Sequence, residues 1–224
     1  MKKVLKGLIL ASVIIAGIGV VGCASQPEDA KEETNVEKQA NEEQTTKEEP
    51  KKEKVQYSVK LEGGMYKEGT DFPAGDYFLV KSDDGFMGSY EITNDTTGEI
   101  SAIYDKNAFY ETAIIRVPEG KYLKLKDCTA VPKEEAYNIL LKDKKYLYEG
   151  SIPAGMEYEV GKLIPAGEYK LIAADGKNGW YSLNGSLERY DLITSDTFEG
   201  FEYITLKDGQ FIKLDNNTSL EISE

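Results

Sequence analysis

The chain of 224 residues contains no histidine. That removes the commonest general base near neutral pH and the commonest metal ligand in one step. Cysteine occurs twice, as Cys23 and Cys128, so a disulfide framework does not organise the fold. Arginine also occurs twice, as Arg116 and Arg189, and the rest of the 27 basic residues are lysine. Set against 40 acidic residues they leave a formal charge of -13. A chain so acidic is pushed away from nucleic-acid phosphates, which need clustered basic charge, and nucleic acid is excluded as a partner. Nucleophile elbows, metalloprotease helices and phosphate loops are missing. The glycine pattern Gly17-Ile18-Gly19-Val20-Val21-Gly22 sits inside an apolar run with neither strand nor acidic partner, and is discarded as a dinucleotide fingerprint.

What is present is a duplication. Tyr66-Lys67-Glu68-Gly69-Thr70-Asp71-Phe72-Pro73-Ala74-Gly75-Asp76-Tyr77 recurs as Tyr158-Glu159-Val160-Gly161-Lys162-Leu163-Ile164-Pro165-Ala166-Gly167-Glu168-Tyr169. Downstream, Asp84 to Tyr90 aligns with Asp175 to Tyr181, and Glu119 to Leu125 with Asp208 to Leu214. Both copies read as short alternating apolar and polar runs broken by Gly, Asp and Asn, the signature of antiparallel strands and turns. The fold class is all-β: two tandem small antiparallel β-sandwich or barrel modules, over 57–132 and 156–224. A connector over 133–155 joins them, with one helical turn marked by Ala136, Ile139 and Leu140. Ser151-Ile152-Pro153-Ala154-Gly155 repeats the corner without its tyrosine, as a degenerate copy or the start of a strand. Alternation puts Tyr77 with Leu79, and Tyr169 with Leu171, on the core face, and duplication suggests that each module melts as its own unit. In Pro-Ala-Gly-x-Tyr, proline fixes φ at a bend and glycine takes a conformation that other residues resist. The tyrosine resembles the tyrosine corner of immunoglobulin-like sandwiches, whose hydroxyl bonds back to the chain just upstream.

Lys2, Lys3 and Lys6 precede an apolar run from Gly7 to Gly22, shorter than the ~20 residues of a transmembrane helix, so 1–22 reads as a signal peptide. The run ends Val20-Val21-Gly22-Cys23, which resembles the lipobox of bacterial lipoproteins. The resemblance implies diacylglycerol on the Cys23 thiol, cleavage before Cys23, and a mature chain anchored on the extracytoplasmic face of the cell membrane. From Cys23 to residue 56, Glu, Lys, Gln, Thr and Asn replace the apolar residues and no aromatic appears. Such a segment buries too little apolar surface to offset chain entropy, and is a disordered tether reaching tens of ångströms at ~5–6 Å per root residue. The Pro-Ala-Gly corner is similar to a segment of transthyretin-like and PEGA-type surface modules. The whole repeat resembles modules of Gram-positive lipoproteins with a Tyr, Gly, Ile-Pro-Ala-Gly-Glu-Tyr pattern.

The expected function is non-catalytic binding or interaction at the cell envelope, with a cell-wall glycan or an envelope protein as partner. A carboxylate-based envelope enzyme such as a glycan hydrolase, and a structural spacer, are the alternatives. No cofactor or metal is expected: Ser82-Asp83-Asp84-Gly85 and Asn94 to Glu99 could offer oxygens to calcium, but turn chemistry accounts for both. Cys128 reads as a half-buried structural thiol aligned with Asn217. Duplicated modules diverge where function is added, on loops. Trp180, the single tryptophan, stands where the first copy has Ser89, so the turn bearing Lys177, Asn178 and Trp180 is the expected ligand contact.

Overall fold

The computed structural model describes residues 56–223; the signal-like run, Cys23 and the tether up to residue 55 lie outside the described residues. The described chain is built from antiparallel strands, with one α-helix and one 3-10 turn. In the first repeat a four-stranded sheet runs in the order β1 (Gly64–Lys67), β6 (Tyr122–Lys126), β3 (Gly88–Thr93), β4 (Ile103–Phe109). A three-stranded sheet packs on it in the order β5 (Thr112–Val117), β2 (Gly75–Lys81), β7 (Cys128–Pro132). The second repeat copies both: β8 (Glu157–Glu159), β13 (Phe211–Leu214), β10 (Asn178–Asn184), β11 (Leu192–Glu199) form one sheet. The other has the order β12 (Phe201–Leu206), β9 (Gly167–Ala173), β14 (Thr218–Ile222). Even the isolated bridges match, Leu61 with Ala130 and Ile152 with Leu220, so Ile152 makes a single bridge just before the corner rather than the start of a strand.

Alternation sets the cores as expected. Tyr77, Leu79, Ile115, Val117, Leu123 and Leu125 enclose the first core, and Tyr169, Leu171, Leu206, Ile212 and Leu214 the second. The Tyr77 hydroxyl donates to the Pro73 carbonyl at 2.6 Å, and the Tyr169 hydroxyl to Pro165 at 2.7 Å, which is tyrosine-corner geometry in both repeats. A second pair of tyrosines does the same: Tyr66 donates to the Glu62 carbonyl at 3.0 Å and Tyr158 to Pro153 at 2.9 Å. The Pro153-Ala154-Gly155 segment therefore has its tyrosine after all, supplied by Tyr158 from the next strand. Gly75 and Gly167 take φ of 150° and 155°, outside the range side chains readily adopt, as the corner requires. Cys128 is fully buried, stands opposite Lys81 as Thr218 stands opposite Ala173, and so matches Thr218 rather than Asn217. Burial pushes its thiol up to about 11, against hydrogen bonds from its surroundings, so it is an inert packing residue.

The repeats differ in the fate of the second face of the three-stranded sheet. Of the residues on β2, β5 and β7 that point away from the first core, Phe78, Ile114 and Val131 are buried in the second core. The helix α1 (Lys133–Leu140) seals this junction with Ala136 and Tyr137, while Ile139 stays exposed. Phe78 meets Tyr137 edge to face at 6.0 Å. Residues 56–223 thus pack as one compact unit.

Candidate functional site

The junction is polar where it reaches the surface. Asp76 on β2 takes both prongs of Arg116, Nε at 2.7 Å and Nη2 at 3.1 Å, and lies 3.5 Å from the Lys133 ammonium. Lys133 bonds Glu159 of β8 at 2.9 Å, and the Tyr137 hydroxyl adds a bond to the same carboxylate at 3.0 Å. Burial alone would raise the Asp76 carboxyl, but the Arg116 hydrogen bonds and charge, with Lys133 beside them, hold it below its ordinary value. Arg116 also reaches Glu188 of the second repeat, so this chain of charges ties four elements together.

Beside this seam, a groove opens between β4 and β5 of the first repeat and the outer face of β10 and β13 of the second. It arises because β4 is an edge strand, and because alternation turns Ser182, Asn184 and Lys213 away from the second core. The larger hollow is about 420 Å³, with Tyr90, Asp105, Asn107, Glu157, Ser182 and Lys213 in its wall. A second hollow of about 310 Å³ shares Asn107 and Lys213 with it and adds Tyr110, Trp180 and Asp215. The two hollows adjoin at these shared residues, and each falls within the size range of small-molecule sites.

Two charged side chains of the second repeat reach across the floor to the first. Glu157 accepts from the Ile114 N–H at 3.0 Å, and the Lys213 ammonium donates to the Ala108 carbonyl at 2.8 Å. Burial raises the Glu157 carboxyl, with Asp105 adding to the effect and Lys213 and the Ile114 N–H opposing it. Burial lowers the Lys213 ammonium, against the pull of Glu157 and Asp105. Burial thus works against the charge of both groups, while each favours the charge of the other. Tyr90 donates to Asp105 at 3.0 Å, and burial followed by the Asp105 charge pushes its phenol well up.

The far end of the groove carries Tyr104, Arg189 and Tyr190. The Arg189 guanidinium lies 5.1 Å from the Tyr104 ring centre and 4.4 Å from that of Tyr190. The loop that presents it, between β10 and β11, is closed by the Gly185 N–H to Asp191 carbonyl bond at 2.8 Å and by Ser186 Oγ to Asp191 at 2.6 Å.

Of the residues expected from sequence, Trp180 lies in the groove, but as the third residue of β10 rather than in a turn. Its backbone N–H donates to Thr218 Oγ1 at 2.9 Å and the residue is half-buried. Lys177 in the preceding turn and Asn178 at the start of β10 are exposed and are not in the groove wall. Cys23 lies outside the described residues. Among the described residues no group of three or more acidic or cysteine side chains is arranged to hold a metal, and Asp95 instead caps its turn through the Thr97 N–H at 2.9 Å. Glu157, Lys213, Tyr104, Arg189 and Tyr190 escape sequence reasoning, and the scarcity of arginine was noted there without a role for either one. No family model matches the chain, and no curated protein matches it.

Proposed function

We propose that the chain is a lipid-anchored extracytoplasmic lipoprotein that binds a polar ligand of the cell envelope without transforming it, in the groove between its two repeats. The observation that carries this is the groove itself, floored by hydrogen-bonding groups from both repeats and flanked by Trp180 with Tyr110 at one end and Tyr104 with Tyr190 at the other. Aromatic rings set apart along a polar channel offer stacking surface at low entropic cost, and amides and hydroxyls between them fix orientation. Supporting the location is the lipobox at Cys23, and the acidic tether gives the folded part reach from the membrane.

The test uses the full chain produced in a lipoprotein-processing bacterium. Cys23→Ala is expected to release the protein from the membrane fraction; a wild-type N-terminal peptide without lipid in mass spectrometry would refute the anchor. Trp180→Ala is expected to weaken capture on purified cell walls by ~2 kcal/mol, the size of a binding hot spot, with an unchanged melting temperature. A lower melting temperature with unchanged capture would make Trp180 a packing residue and remove the groove from consideration. One observation favours the enzymatic alternative, a buried Glu157 with raised affinity for its proton beside Asp105. Release of soluble fragments from cell walls by the wild type, abolished in Glu157→Gln, would establish it.

A further inference from the structure

We infer that the Arg189 end of the groove is an anion subsite, which receives a carboxylate or phosphate group carried by the ligand. This rests on the groove being the binding site. The chain has two arginines among 40 acidic residues, and both stand in this groove. Arg116 is spent on protein: Asp76 takes its fork and Glu188 its remaining nitrogen. Arg189 has no carboxylate within ion-pair distance among the described residues, although acids surround it. The nearest in sequence are committed elsewhere, Glu188 to Arg116 and Asp191 to the Ser186 hydroxyl.

Nor is it the only cation on the Tyr104 ring. The Lys121 ammonium approaches the Tyr104 ring to 5.1 Å, the same distance as Arg189, and its one hydrogen bond is to the neutral Asn94 amide at 2.7 Å. Two cations without acidic partners thus converge on one ring in a chain of charge -13. A guanidinium that rests against aromatic rings and forms no ion pair keeps N–H groups available, and its planar fork matches a carboxylate or phosphate in two parallel bonds.

The second, independent sign is backbone strain. Tyr190, which completes the stack on Arg189, has a φ of 67° while its side chain is 83% exposed. A bulky residue in the left-handed region costs on the order of 1–3 kcal/mol, and here no burial offsets it. Holding the guanidinium in place is the one task visible for a tyrosine at this position.

The full chain in detergent micelles would be titrated, with heat or Trp180 fluorescence as signal, against two matched pairs. These are acetyl-tetraalanine with a free carboxylate against its amide, and glycerol 1-phosphate against glycerol. The anionic member of at least one pair is expected to bind about tenfold tighter than its neutral partner, ~1.4 kcal/mol. The pair that discriminates tells a peptide terminus from a polyol phosphate. Arg189→Gln should abolish the discrimination, Arg189→Lys should restore part of it, and Tyr190→Gly should weaken it while leaving the melting temperature equal or higher. Equal binding within both pairs, no binding of either anion at millimolar concentration, or indifference to Arg189→Gln would overturn the subsite. Cell-wall capture lost in Trp180→Ala and untouched in Arg189→Gln would leave the groove standing and remove the anion subsite alone.

Discussion

Glu157 is the residue on which the junction is most sensitive to its medium. Its carboxyl is raised above an ordinary value of 4.5, first by burial and then by Asp105, with Lys213 and the Ile114 N–H pulling the other way. A group that holds its proton more tightly folded than unfolded contributes stability that is complete below the unfolded value and is lost as pH rises through the folded one. Glu157→Gln removes this titration and keeps an oxygen for the Ile114 N–H. Its melting temperature is therefore expected to fall less than that of the wild type as pH rises above the ordinary glutamate value of 4.5, and parallel thermal melts over that rise check it. Nothing in Glu157-Tyr158-Glu159 announces this role, because an acid flanking a core tyrosine usually faces water, and β8 is buried on both sides only once the repeats have met. The corner tyrosines were legible for the opposite reason. Their geometry is local: a proline carbonyl four residues upstream lies within reach of the hydroxyl whatever the rest of the chain does.

At the scale of single strands, equivalent positions show what duplication preserves and what it releases. Gly88 on β3 and Gly179 on β10 stand opposite Phe109 and Phe198 of the neighbouring strands. A Cβ at Gly88 would lie 2.5 Å from the Phe109 ring, and at Gly179 2.6 Å from Thr218 Oγ1 and 2.7 Å from the Phe198 ring. Each glycine thus makes room for a core ring, and Gly88→Ala and Gly179→Ala are expected to cost about 1–3 kcal/mol each by overpacking, read from denaturant midpoints. Sequence alignment pairs these glycines without giving the reason, since the ring they admit arrives from another strand. The outward residues of the three-stranded sheets diverge instead. Phe78, Ile114 and Val131 of the first repeat correspond by register to Lys170, Tyr203 and Glu221 of the second. The outward face of the second copy keeps Phe201 and Tyr203 exposed beside these charges, so apolar residues alone do not tell the covered sheet from the open one. The groove was not legible in the sequence, because its wall joins β4 to β10 and β13 across distances in sequence that no periodicity encodes. The helix fell between these cases: its position was legible, but Tyr137 rather than Ile139 is its buried aromatic or aliphatic contact.

For the molecule as a whole, the shared core decides how it comes apart. Phe78, Ile114 and Val131 contribute to the second core from strands whose other face builds the first, so neither repeat can lose its sheet without exposing apolar surface of both. Scanning calorimetry is expected to show one transition, in place of the two that duplication alone suggests, with calorimetric and van't Hoff enthalpies equal. Two resolved transitions would mean that the junction opens before the sandwiches do. The way the repeats meet has one more outcome. The first repeat offers the outer face of its three-stranded sheet and the second offers β8 and its neighbours, so unlike surfaces are joined, and a contact of that kind repeats head to tail unless its rotation happens to close a ring. Left unmodified, the matching face of the second repeat would accept the next molecule in line, and the next, as a filament. Lys170 and Glu221, standing where the first repeat has Phe78 and Val131, put charge at the centre of that face, and the series stops at two.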